Sequence, residues 1–166
     1  MLRDITPRTA IEFAVQTEEL GQKFYKKLAG RFDKNTKLKN LFEQLAQDEA
    51  AHEQQYRALM EQTPKDEFTA SQYERLEYLR VMALSEFFMG EDGLYRKLKE
   101  INREQDALMR AVELEKATLQ YYEAMRDVLG KNDTVDAVIE AEKDHLKKLM
   151  QYMLADAQFK GILDIL

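Results

Sequence analysis

Four glutamates stand where helical periodicity calls for apolar side chains, and this placement constrains the chain more than any other feature. In the first segment the apolar or small stripe reads Ile11, Ala14, Gly21, Leu28 and Phe32, and Glu18 interrupts it. In the second it reads Leu38, Leu41, Phe42 and Leu45, then Glu49 and His52, then Tyr56 and Leu59. Glu115 falls between Val112 and Thr118 in the third. In the fourth, positions 135, 138, 142, 145, 149 and 152 put Glu142 and His145 in line. Recurrence at three and four marks the core-facing side of a helix. Four helices are therefore expected, each carrying a carboxylate into its buried face near mid-length.

Local signals set the ends. Thr6 followed by Pro7 is a helix start, with Pro at the first helical position, and that helix runs to about Gly30. The second begins near Asn35 or Thr36 and stops before Thr63-Pro64. Asn102 with Gln105 three residues on reads as the capping signal of the third, which ends at Gly130. Asn132 or Asp133 caps the fourth, which continues to about Phe159. Short loops join the first helix to the second and the third to the fourth, so each pair forms an antiparallel hairpin. Residues 63–101 form a long crossover between the hairpins. Helical patterning persists in it from about Ser71 to Phe88 and from Leu94 to Ile101, punctuated by Gly90 and Gly93. A bundle with one long crossover is the ferritin-like variant. The expected fold is thus all-α, a ferritin-like four-helix bundle of two hairpins joined by a partly helical crossover, with residues 1–166 as one domain.

The two hairpins repeat each other. Residues 14–25 (AVQTEELGQKFY) align with 111–122 (AVELEKATLQYY), so Glu18 matches Glu115 and Tyr25 matches Tyr122. Glu49-x-x-His52 matches Glu142-x-x-His145 in the same way. These are the chain's only two histidines, and both follow a Glu by one helical turn on the core stripe.

Four unpaired buried carboxylates would be prohibitively costly, and no Lys or Arg shares their stripe. Two divalent cations would balance them. Carboxylate with imidazole suits Fe, Mn or Zn. The absence of cysteine excludes thiolate sites within these residues. The net charge of −6 is spread without any Lys/Arg block, which argues against nucleic acid or an anionic membrane as partner. No apolar run is long enough to span a bilayer, and the first residues lack an apolar signal core. A cytoplasmic location is the expectation.

The segments EELGQKFY, LAQDEAAH, ELEKATLQYY and EAEKDH resemble the ferritin-like superfamily, and within it the rubrerythrin-like di-iron carboxylate proteins. The resemblance covers nearly the whole chain. It implies two iron ions per chain, with Mn or Zn as possible substitutes, about 3.5–4 Å apart. Glu18 and His52 would be terminal ligands of one ion, Glu115 and His145 of the other, and Glu49 and Glu142 would bridge. Tyr25 and Tyr122, seven residues after Glu18 and Glu115, would hydrogen-bond to the ligands and assist catalysis. Such proteins usually append a rubredoxin domain whose iron is held by cysteines. With no Cys here, the electron donor is expected to be a separate molecule. They also carry a further Glu one turn after the third-helix ligand. Thr118 and Gly21 stand at the two equivalent places, so a symmetric six-ligand site is expected.

The leading expectation is an oxidoreductase in which two Fe(II) reduce hydrogen peroxide or dioxygen, fed by an external electron donor and working as a homodimer. Ferroxidase activity linked to iron storage or delivery uses the same ligands, as does a non-catalytic metal-binding helical module. Glu12, Glu19, Glu53 and Glu113 lie off the stripes and are expected to be solvated, and the methionines to fill core gaps. Phe87-Phe88-Met89 reads as crossover packing or a dimer contact. The apolar tail Gly161–Leu166 reads as docking on the bundle or on a partner.

Overall fold

The computed structural model describes residues 6–64, 98 and 100–155. Among them are four helices and no strand: α1 (Pro7–Arg31), α2 (Thr36–Gln62), α3 (Glu104–Leu129) and α4 (Asp133–Ala155). The fold is the all-α, ferritin-like four-helix bundle. Most of the crossover lies outside the described residues, including both glycines, nearly all of its expected helical stretches and Phe87-Phe88-Met89. So do the last turn expected of α4, to Phe159, and the tail Gly161–Leu166.

The helix ends follow from local chemistry. Thr6 and Thr9 form a reciprocal cap on α1: the Thr9 N–H donates to the Thr6 hydroxyl oxygen at 3.0 Å and the Thr6 N–H to Thr9 Oγ1 at 2.6 Å. Asn35 Oδ1 accepts from the Leu38 N–H at the start of α2. Asn132 Oδ1 accepts from the N–H groups of Thr134 and Val135, which makes Asn132 the cap of α4. Gly130 closes α3 with φ +74°, ψ −164°, a conformation open essentially to glycine alone.

The start of α3 departs from expectation. Its N-cap is Arg103, one residue beyond Asn102, and no side chain caps it. The Asn102 amide instead donates to the Glu100 carbonyl at 3.4 Å. Arg103 forks onto Asp106 at 2.8 and 2.9 Å. An acidic first turn with this ion pair stands in for the missing cap.

α1 packs on α2 and α3 on α4, while α1 also meets α3 and α2 meets α4. The starts of α1 and α4 and the ends of α2 and α3 share one end of the bundle, where Pro7, Gln62, Leu129 and Asn132 border a common cleft. The Arg31 guanidinium ties the close of the crossover to the end of α1 through the carbonyls of Leu98 and Ile101. No helix among the described residues is long and apolar enough to cross a membrane.

The core divides in two. One apolar cluster contains Phe24, Tyr25, Leu28, Phe42, Leu45, Leu108 and Leu149. The other contains Ile11, Val15, Tyr56, Tyr121, Tyr122, Val135 and Ile139. Burying each large side chain stabilises the fold by about 1.5–3 kcal/mol. Leu41, Val112 and Tyr152 of the expected stripes are only partly buried against this core. Met125 fills core space as expected, whereas Met109 and Met150 are exposed because their positions face outward.

Candidate metal centre

A polar layer lies along the helix stripes between these apolar clusters. Glu18, Glu115, Glu142 and His145 are each 1% exposed, and Glu49 and His52 are 5% exposed. The six come together from all four helices as two overlapping groups. Glu18, Glu49, His52 and Glu142 form one, and Glu49, Glu115, Glu142 and His145 the other. In each group, one potential ligand atom per residue lies within 4.8 Å of every other.

Glu49 and Glu142 belong to both groups because each splits its oxygens between the histidines. Glu142 Oε1 is 3.0 Å from His52 Nδ1, and its Oε2 is 3.5 Å from His145 Nδ1. Glu49 Oε2 is 3.9 Å from His52 Nδ1, and its Oε1 is 3.6 Å from His145 Nδ1. Of the two histidines, Glu18 Oε2 lies near His52, at 3.7 Å, and Glu115 Oε2 near His145, at 3.4 Å. The two imidazoles stack with centroids 5.3 Å apart.

The tyrosines cross between hairpins. Tyr25 of α1 donates to Glu115 Oε1 of α3. Tyr122 of α3 donates to Glu18 Oε1 of α1 at 2.6 Å. Each phenol fixes one oxygen of a carboxylate and leaves the other, Oε2, facing the cluster. Burial, reinforced by the neighbouring carboxylates, pushes both phenols well above their usual pKa, so both remain donors.

The inward atoms are unsatisfied. Glu18 Oε2, Glu115 Oε2, both oxygens of Glu142, and Nδ1 of His52 and His145 are buried with no hydrogen-bond partner among the described residues. Leaving such atoms unpaired costs about 1–3 kcal/mol each, more where they are charged. Electrostatics carries the same message. Burial, then the charge of Glu18, raises Glu49 well above the carboxylate range. Burial also raises Glu18. Burial and Glu142 push Glu115 up to about 8. For Glu142, burial and Glu49 are outweighed by His145, His52 and Glu115, which hold it low. Burial opposes the charged form of His145, but the carboxylates of Glu115 and Glu142 close to its Nδ1 push it up to about 11. In the same way Glu142, Glu18 and Glu49 overcome burial to raise His52. The cluster holds protons tightly because it lacks positive charge of its own. Oxygen and imidazole donors in this arrangement can hold metal cations.

Two neighbours carry more than their sequence positions announced. Asp48 Oδ2 lies 3.3 Å from His145 Nε2, the ring nitrogen opposite the cluster, and 3.2 Å from Lys148 Nζ. Such a carboxylate fixes the tautomer and raises the basicity of the other nitrogen. No face pattern flags Asp48, because it reaches His145 across the α2–α4 contact. Tyr56 had a signal, being one turn after His52, but reads equally as an apolar stripe position.

Of the off-stripe glutamates, Glu12 and Glu113 are exposed. Glu19 and Glu53 are not freely solvated. Both are partly covered and paired with Arg57, Glu53 at 2.6 Å, because residues 53 and 57 share a face one turn apart.

Four helices around a buried cluster of carboxylates and imidazoles define a ferritin-like bundle with a candidate metal site. The family model for rubrerythrin matches residues 10–153, and the chain belongs to the rubrerythrin family. Neither a curated protein nor a solved structure matches it.

Proposed function

We propose that this protein is a di-iron carboxylate oxidoreductase that reduces hydrogen peroxide or dioxygen, with electrons returned by an external donor. Glu18, Glu49, His52, Glu115, Glu142 and His145 are the metal ligands in this reading. The observation that carries it is the set of six buried atoms of Glu18, His52, Glu115, Glu142 and His145 that face one another without hydrogen-bond partners among the described residues. Two iron ions would supply the two electrons needed to cleave the oxygen–oxygen bond of peroxide.

The chain's own residues have distinct tasks. Glu49 and Glu142, each presenting one oxygen to either side, would be shared by two cations. Glu18 and Glu115 close the ends, and Tyr122 and Tyr25 fix their orientation. Asp48 holds His145 with Nδ1 turned inward. Burial excludes bulk water, which strengthens each of these interactions.

The test is anaerobic loading with two Fe(II) per chain, followed by peroxide in stopped flow. The expected result is oxidation within seconds, one peroxide consumed per two Fe(II), and ferric absorption in the near ultraviolet. Protein that binds two Fe(II) yet leaves them unoxidised by peroxide and by dioxygen overturns the reading. A hollow multi-subunit shell that retains many irons per chain would shift the function to storage.

A further inference from the structure

The ligand set has near two-fold symmetry, but its surroundings do not. Tyr56 lies one turn after His52 on α2. The internal repeat gives Leu149, one turn after His145, as its counterpart on α4. Both are fully buried. One hairpin therefore offers a hydroxyl where the other offers only hydrocarbon.

That hydroxyl is unused. Tyr121 donates to the Ala10 carbonyl at 2.9 Å, Tyr122 to Glu18 and Tyr25 to Glu115. Tyr56 Oη alone of these four buried phenols has no hydrogen-bond partner among the described residues. Its ring is 5.1 Å from that of Tyr122, which reaches Glu18. The charges of Glu18, Glu142 and Glu49 all bear on it, and together with burial, the largest influence, they keep the phenol protonated. A buried donor without an acceptor costs about 1–3 kcal/mol, so retaining the hydroxyl beside a cation-binding cluster calls for an acceptor that the described residues do not supply.

We infer that Tyr56 donates a hydrogen bond to the oxidant at the Glu18/His52 side of the cluster, making that side the one where the small oxygen ligand is received. The inference rests on the functional reading above. The acceptor is a small anionic or oxygen-rich molecule of the size of peroxide, since Tyr56 is fully buried and packs in one cluster with Tyr122, Leu59 and Ile11. Entry from Tyr56's end of the bundle fits this assignment. Ile11 and Leu59, which pack in its cluster, also line the cleft at that end, of about 370 Å³.

The test uses azide, a linear triatomic anion that accepts hydrogen bonds, on iron-loaded, oxidised full-length protein. Affinity is read from the azide-to-Fe(III) charge-transfer band, and metal content is measured on the same samples. Tyr56→Phe keeps the ring and its packing. It is expected to retain two irons per chain and to weaken azide binding about five- to tenfold. Tyr122→Phe removes a phenol already committed to Glu18, so its effect should fall first on metal affinity. Azide affinity within twofold of wild type in a two-iron Tyr56→Phe protein overturns the assignment and leaves the functional reading intact. Loss of iron from Tyr56→Phe also overturns it, by showing a role in holding the metal. Wild-type protein that binds no pair of irons brings down the functional reading and this assignment together.

Discussion

Gly21, Asp48 and Tyr56 of the α1–α2 hairpin occupy the places that Thr118, Ala141 and Leu149 occupy in the α3–α4 hairpin. The ligands themselves repeat without change. In the di-iron reading the four carboxylates would balance two divalent cations and the two imidazoles would complete the donor sets, which accounts for their repetition. Its surroundings are free to diverge, and they do so one-sidedly. Asp48 backs His145, while no acid outside the cluster lies within 4 Å of His52 among the described residues. A difference carried by one hairpin thus acts on the ligand of the other. The two metal positions are expected to differ in affinity and in what they receive, although their ligands match.

The largest effect should come from erasing what the halves share. Glu49→Ala with Glu142→Ala removes both residues that serve the two groups. Metal content after Fe(II) loading, read by mass spectrometry, should drop from two per chain to below one. Retention of two ions would show that the halves bind independently.

Next in size is the response to pH. In metal-free protein, Glu115 holds its proton up to about pH 8 and His145 up to about 11. Both bind protons more tightly folded than unfolded. Their contribution to stability is therefore complete at low pH and lost as pH rises, from about 4.5 to 8 for Glu115 and from 6.5 to 11 for His145. Glu18, Glu49 and His52 are shifted in the same direction, and only Glu142 opposes them. The melting temperature of metal-free protein should fall by several degrees between pH 5 and 9. Metal-loaded protein should show the reverse trend over pH 5–7, because each ligand must shed its proton to bind. Parallel trends in the two forms would refute the account of the cluster's charge.

Asp48→Asn sharpens the comparison directly. It keeps the shape but removes the charge behind His145, and such changes weaken metal binding about 10- to 100-fold. Chelator titration should show one of the two ions released at lower chelator concentration and the other unmoved. Equal loss of both would mean that the halves are not inequivalent in this way.

The smallest effect is expected at Gly21. A Cβ there would lie 3.3 Å from Glu49 Cδ and 3.4 Å from Cγ. Gly21→Ala should favour the helix by about 0.5–1 kcal/mol and raise the metal-free melting temperature by a few degrees. By crowding Glu49 it should also lower metal affinity a few-fold. Thr118→Ala, at the matching place, should leave metal affinity within about twofold.

Much of the fold was legible because its signals are local. Thr6-Pro7, Asn35 and Asn132 mark helix starts through hydrogen bonds made within one turn, and they hold in the structure. The misread start of α3 is also a local matter. A capping pattern at Asn102 competes with an Arg103–Asp106 ion pair one residue on, and residue types alone do not rank the two.

The six acidic and imidazole residues were legible for a different reason. Period 3.6 decides which side chains share a face, so charges on an apolar face stand out however the helices are later arranged. Sequence alone thus determined how many charges each helix turns inward and at what height. Only the tertiary structure decided who meets whom: Tyr25 with Glu115, Tyr122 with Glu18, Asp48 with His145, and Tyr56 with no hydrogen-bond partner among the described residues. Those pairings depend on the rotation and stagger of one helix against another. Both are set by the packing of whole faces, which no spacing along a single helix records.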